Sequence, residues 1–213
     1  MRQLFKGVVE FQREGYAAHQ ALFTELSRCQ KPHTLFIGCS DSRLIPTLLT
    51  NSRPGELFMI RNVANLVPPY KPSEGAFLGT TSAIEYAVQV LGVENILICG
   101  HSNCGGCCSL LTPLESQETI PHVRSWMKIA DPVREELSQP QYAHLEMPEK
   151  ERMAERLNII LQLEHLKTYP YIQEKIEAGR INLIGWHYII ETGEVYNYNA
   201  KSGHFELIEE SML

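Results

Sequence analysis

Thr34-Leu35-Phe36-Ile37-Gly38-Cys39 carries no charge and no polar–apolar alternation. A short continuous apolar run of this kind reads as a strand buried on both faces. Pro32 stops the helical pattern that precedes it. Leu57-Phe58-Met59-Ile60 gives the signal again after the turn residues Arg53-Pro54-Gly55, and Asn95-Ile96-Leu97-Ile98-Cys99-Gly100 gives it a third time. Between these two, residues from about Ala76 to Leu91 have helical spacing, with Ile84, Ala87, Val88 and Leu91 along one face. Strand, helix and strand in this order predict an α/β fold: a mostly parallel central sheet flanked by crossover helices. The order of the strands is not readable from these signals.

Outward from this centre, Leu4, Phe5, Val8, Val9 and Phe11 begin an apolar helical stripe that Leu22, Phe23 and Leu26 continue. Gly15 is the expected break between two helices. Toward the other end, helices are expected over 123–137 and 149–167, and Pro148-Glu149-Lys150-Glu151-Arg152 reads as a solvated helix start. Residues 181–190 read as a long strand, and Glu191-Thr192-Gly193-Glu194 as a hairpin turn into Val195-Tyr196-Asn197-Tyr198. No repeat, low-complexity tract or linker divides the chain. Residues 1–213 are therefore expected to form one domain, with 1–30 as an amino-terminal helical arm.

Hydrophobic residues make up 44% and charged residues 21% of the chain, enough apolar material for a real core. The formal net charge of −6 argues against nucleic acid and against an anionic membrane surface as partners. No apolar stretch is long enough to span a bilayer, and the first residues lack a signal peptide's apolar region. The expected location is cytoplasmic, with an enclosing carboxysome-like compartment left open. Six cysteines occur, Cys29, Cys39, Cys99, Cys104, Cys107 and Cys108. In a reducing compartment they serve packing, metal binding or reactivity rather than a disulfide framework.

Two short motifs follow two of the buried strands: Cys39-Ser40-Asp41-Ser42-Arg43 and His101-Ser102-Asn103-Cys104-Gly105-Gly106. In parallel α/β sheets, sites are built at the carboxyl ends of strands. If the two strands are neighbours, Cys39, His101 and Cys104 converge. Two thiolates and an imidazole suit zinc, and three protein ligands leave the open position of a catalytic ion. A structural four-ligand site stays open as a rival, since Cys107 or Cys108 could supply the fourth donor. Asp41 and Arg43 point the same way if the backbone is extended, which lets Arg43 grip the Asp41 carboxylate bidentately. A carboxylate kept ionised and acceptor-only beside the open position would orient a water-derived nucleophile. Gly105 and Gly106 open an expected helix, and their N–H groups can approach a small anion closely.

These two motifs together resemble the signature of the β-class carbonic anhydrases. The similarity extends to Pro54-Gly55-Glu56, Arg61-Asn62-Val63-Ala64-Asn65, Glu85-Tyr86-Ala87 and Trp186-His187-Tyr188, so it covers nearly the whole chain. The resemblance implies one zinc ion per subunit on Cys39, His101 and Cys104, with Asp41 and Arg43 as a catalytic dyad. It implies interconversion of carbon dioxide and bicarbonate, and a homodimer or homotetramer joined by the amino-terminal helices, with active sites at the dimer interface. Gln30 stands nine residues before Cys39, as in the open, plant-like group, where such a Gln hydrogen-bonds substrate. Phe58, Val63 and Tyr86 match that group's remaining pocket residues, and Gly105 N–H is expected to join Gln30 in stabilising developing negative charge. The other group has Trp where this chain has Phe36.

Rival readings are a hydrolase of carbonyl sulfide or carbon disulfide on the same scaffold, a non-catalytic zinc scaffold, and thiol redox chemistry through Cys104, Cys107 and Cys108. The remaining histidines, His187 among them, have no ligand spacing and read as surface or satisfied core residues.

Overall fold

The computed structural model describes residues 1–72, 77–112 and 119–212. Six strands form one sheet in the order β2-β1-β3-β4-β5-β6. They are β1 (Thr34–Cys39), β2 (Leu57–Asn62), β3 (Asn95–His101), β4 (Asn182–Tyr188), β5 (Val195–Asn199) and β6 (His204–Leu207). The first four run parallel, and β5 and β6 add an antiparallel edge. From β1 the chain steps to β2 on one side, then returns to place β3 on the other. That reversal makes the carboxyl ends of β1 and β3 the switch point of the sheet, the place where such sheets build sites.

Side chains alternate across β1 and β3 and so feed two cores. Leu35, Ile37, Ile96 and Ile98 join one cluster with Ile84, Ala87 and Val88. Phe36, Leu97 and Cys99 join the other with Leu44, Met127 and Val133. All six residues of β1 are buried, as expected of a central parallel strand, whereas β2 at the edge is only partly covered.

The long helix α8 (Met147–Lys167) begins with a capping box between Glu146 and Glu149 and has proline in its first turn. It lies close against the sheet because glycines face it. A Cβ on Gly100 would meet Ile159 Cδ1 at 2.8 Å, and one on Gly185 would meet Ile159 Cγ2 at 2.9 Å.

Between β2 and β3 runs α4 (Leu78–Glu85), continued by a wider helical turn over Tyr86–Val90. Ala76, where this helix was expected to begin, lies outside the described residues. The single helix expected over 123–137 is two, α6 (Pro121–Met127) and α7 (Asp131–Leu137), joined by a tight turn over Lys128–Ala130. Pro132 explains the break, since it lacks the N–H that would continue the ladder and instead occupies the first turn of α7. Short helices α3 (Pro46–Thr50) and α5 (Gly105–Ser109) follow β1 and β3, and α9 (Pro170–Glu177) precedes β4. Neither α9 nor β6 was anticipated from the sequence.

The amino-terminal arm comprises α1 (Arg2–Glu10), a wider helical turn over Phe11–Gly15, and α2 (Tyr16–Leu26). The break expected at Gly15 is absent: Gly15 is helical, at φ −64 and ψ −42. The missing Cβ instead makes room for the Phe11 ring, whose Cδ2 would lie 3.0 Å from it. The interruption falls at His19, at φ −123 and ψ 15. The arm buries none of its residues, and Leu4, Phe5 and Val8 stand 75%, 63% and 54% exposed.

Candidate metal centre

Cys39 ends β1, His101 ends β3, and Cys104 closes the loop before α5. β1 pairs directly with β3, so the convergence expected from neighbouring strands is realised. The Cys39 and Cys104 Sγ atoms are 3.9 Å apart, and the donor atoms of all three residues lie within 4.8 Å of one another. Thiolates at ~2.3 Å on a tetrahedral ion stand ~3.8 Å apart, so the pair is already at zinc spacing. All three residues are buried. The His101 Nδ1–H donates to the Ser102 carbonyl at 2.9 Å, which leaves Nε2 as the ring's lone-pair nitrogen. That nitrogen is buried and has no hydrogen-bond partner. Such an orphan facing two thiols is what a metal ion satisfies. Without a cation the thiols resist ionisation. Cys39 is pushed up to about 12, first by its hydrogen bond with Cys104 and then by burial. Cys107 is not part of the converging group among the described residues, which favours three donors over four.

Asp41 and Arg43 form the expected bidentate pair, with Nε to Oδ1 at 2.9 Å and Nη2 to Oδ2 at 2.8 Å. The backbone is not extended there, however. It turns, with Leu44 N–H donating to the Asp41 carbonyl and Arg43 N–H donating to Asp41 Oδ1. The short Asp side chain caps the turn it starts, which is why the two side chains still meet. The Arg43 guanidinium holds the Asp41 carboxyl well below the usual carboxylate range. Asp41 Oδ2 lies 3.8 Å from His101 Nε2, so the carboxylate borders the triad. Arg61 fixes the same loop from beneath, donating to the carbonyls of Cys39 and Asp41 at 3.1 and 2.6 Å.

The other expected site residues divide into two groups. Val63 and Gly105 belong to this neighbourhood. A Cβ on Gly106, next to Gly105, would lie 3.2 Å from Val63 Cγ1, and the Val63 carbonyl accepts the Trp126 indole N–H at 2.8 Å. Gly105 is the first residue of α5 and has no neighbour where a Cβ would stand. Phe58 and Tyr86 instead meet each other, ring centroids 6.0 Å apart, on the side of the sheet that holds Leu35 and Ile37. Gln30 is exposed on the segment leaving the arm.

Three acidic and basic groups that the sequence did not single out hold the ligand loop. Glu191 accepts the Ser102 hydroxyl at 2.7 Å and the Asn103 side-chain amide. Glu155 accepts the Cys104 backbone N–H at 3.1 Å and pairs with His187 at 2.9 Å. A usable signal existed in the helical spacing of Glu155, Asn158 and Gln162, three polar residues along one side of an otherwise amphipathic helix. All three are buried.

The carbonic anhydrase family model matches residues 34–195. The solved structure of the β-carbonic anhydrase CcaA superimposes with a TM-score of 0.92 at 40% identity, over 98% of this chain and 99% of that one. The chain belongs to the β-carbonic anhydrase family. A carbonic anhydrase of Helicobacter pylori strain J99 is 43% identical over 99% of this chain and 96% of its own length. One of two tetrameric β-carbonic anhydrases from Sordaria macrospora superimposes with a TM-score of 0.82 at 30% identity, over 94% of this chain and 98% of that one. As a carbonic anhydrase, this enzyme has in Cys39, His101 and Cys104 a group able to hold a metal ion.

Proposed function

We propose that this carbonic anhydrase catalyses the reversible hydration of carbon dioxide to bicarbonate and a proton at a zinc ion held by Cys39, His101 and Cys104. The observation that carries the reading is a three-donor group at zinc spacing bordered by an Arg-clamped carboxylate. A bound zinc ion supplies the Lewis acidity that makes a nucleophile of water near neutral pH, blunted by two thiolate ligands relative to imidazoles. Asp41 is acceptor-only under the Arg43 clamp, so at Oδ2 it accepts a hydrogen bond from the nucleophile and turns the nucleophile's lone pair toward substrate. Val63 lines the apolar place for carbon dioxide, and the Gly105 N–H stabilises the oxygen on which charge develops. With both carboxylate oxygens engaged by Arg43, Asp41 is held away from metal ligation.

Gln30, Phe58 and Tyr86 complete a pocket where two copies meet. The support is their placement: Gln30 is exposed, Tyr86 is 44% exposed, and Phe58 is half-buried against the Tyr86 ring. The uncovered apolar face of the arm supports a homodimer or homotetramer formed through residues 1–30, with the whole chain as one domain. Among the described residues no helix is long and apolar enough to cross a membrane, and a cytoplasmic location fits.

Stopped-flow carbon dioxide hydration by the zinc-loaded protein tests the reading, beside Asp41→Ala. Fast turnover that declines from alkaline toward neutral pH, lost in the variant with zinc retained, is the expected result. A zinc-loaded protein without turnover at any pH would leave a scaffold or a hydrolase of the sulfur analogues.

A further inference from the structure

Glu155 is 2% exposed and His187 is fully buried, yet neither belongs to the triad or to the Asp41–Arg43 pair. Burying a carboxylate is expensive, and an apolar side chain would serve packing better. The hydrogen bonds around this one have a single direction. The Cys104 backbone N–H can only donate, and it meets Glu155 Oε1 at 3.1 Å. Arg156 Nε–H can also only donate, and it lies 3.5 Å from His187 Nδ1. The ring proton therefore stands on His187 Nε2, which donates to Glu155 Oε2 at 2.9 Å. Both Glu155 oxygens accept, one from the ligand's own peptide and one from a buried imidazole. Arg156 is seated in turn over the rings of Tyr196 and Phe205, at 5.7 and 5.4 Å, on β5 and β6.

Cys104 has an extended backbone, at φ −75 and ψ 112, directly before α5. A rotation of its peptide plane would swing Sγ away from Cys39 and His101. Glu191 fixes the two preceding residues through Ser102 and Asn103. Glu155 fixes the ligand itself.

We propose that Glu155 is a positioning residue of the metal centre, setting the Cys104 thiolate through its backbone N–H and aimed in turn by His187. The proposal rests on reading Cys39, His101 and Cys104 as the zinc ligands. Hydrogen-bond partners that orient a ligand commonly carry ~10–100-fold in metal affinity. Glu155→Leu removes both acceptors and keeps the volume. Glu155→Gln keeps one oxygen for the Cys104 N–H but turns an amide donor toward His187 Nε2–H. Asn158→Ala is the control, since it deletes two buried bonds of the same helix, to the Ala64 carbonyl and from the Gln162 amide, without touching a ligand.

The experiment measures zinc affinity by chelator competition and the absorption of the cobalt(II)-substituted protein, with thermal melting beside each. Zinc affinity should fall about 100-fold in Glu155→Leu and about 10-fold in Glu155→Gln, with shifted thiolate-to-cobalt and d–d bands. Asn158→Ala should lower the melting temperature and keep wild-type affinity. Folded Glu155 variants with wild-type affinity and superimposable cobalt spectra overturn the proposal. So does an Asn158→Ala protein that loses as much affinity as Glu155→Leu, because the effect then belongs to the seating of α8. If Glu155→Leu does not fold, Glu155→Gln alone decides by the same criteria. A wild-type cobalt protein without a thiolate charge-transfer band instead sinks the ligand assignment beneath it.

Discussion

Arg43 clamps Asp41 through three hydrogen bonds, two from the guanidinium and one from its own backbone N–H, and Nη2 also reaches the Asn103 carbonyl at 3.1 Å. One side chain thus ties the Asp41 turn to the loop that separates His101 from Cys104. Arg43→Met should lower kcat/KM about 100-fold, the scale of a small misplacement at a reacting centre. Zinc content per chain, read by elemental analysis, should not change. Released from Arg43, the Asp41 carboxyl rises toward the ordinary value of 3.8 and is still ionised at neutral pH. A loss at neutral pH therefore reports orientation. A variant with full activity would remove the pair from the mechanism.

Cys107 distinguishes three donors from four. It is 2% exposed and sits in the core cluster beside Cys104. Cys107→Ala should keep one zinc per chain and a nearly unchanged resistance to chelator, because its sulfur lies outside the three-donor group. Loss of zinc in this variant would point to a closed structural site.

Adjacent glycines should answer differently to the same substitution. A Cβ at Gly106 would lie 2.7 Å from Ala64 Cβ, whereas one at Gly105 has nothing within 4 Å. Gly106→Ala should cost about 1–3 kcal/mol in chemical denaturation, the scale of overpacking in a filled core. Gly105→Ala should unfold at nearly the wild-type midpoint. Equal midpoints for the two would contradict the packing described.

His165 gives the fold an acid sensitivity apart from the metal centre. Its Nδ1–H donates to the Val67 carbonyl at 2.7 Å, and burial draws its pKa below the ordinary 6.5. Below that value the unfolded chain takes up a proton that the folded chain resists. This group therefore lowers stability as pH falls through 6.5 toward the folded value, and has no effect well above it. His165→Asn keeps a donor for Val67 and does not titrate. Its melting temperature should fall less than wild type between about pH 7 and about pH 5, in zinc-saturated protein. Parallel curves would show that His165 is not the group responsible.

The central strands were legible because β1 and β3 are uncharged runs with no alternation, a pattern set by burial on both faces. The triad was legible because its members stand at or just beyond the ends of those strands. Their order was not, since β1 can neighbour β3 in several topologies with the same local signals. The Asp41 turn escaped the sequence reading because a two-residue spacing suits extended backbone and a capped turn equally. Glu155 escaped it because charged residues fill the first turns of α8, and its helical spacing with Asn158 and Gln162 was the one signal that set the buried carboxylate apart from the solvated ones. His19 interrupts the arm where the sequence carries no breaker, while Gly15, which looked like one, accommodates the Phe11 ring.

Cys39 and Cys104 stand 65 residues apart in sequence, and only the pairing of β1 with β3 across an intervening strand and two helices brings their sulfurs together. An unfolded chain offers His101, Cys104, Cys107 and Cys108 close together, but not Cys39 beside them. The three-donor group is therefore complete only once β1 has paired with β3, a non-local step of assembly. An ion held by all three would join the carboxyl ends of β1 and β3 and so lock a completed topology.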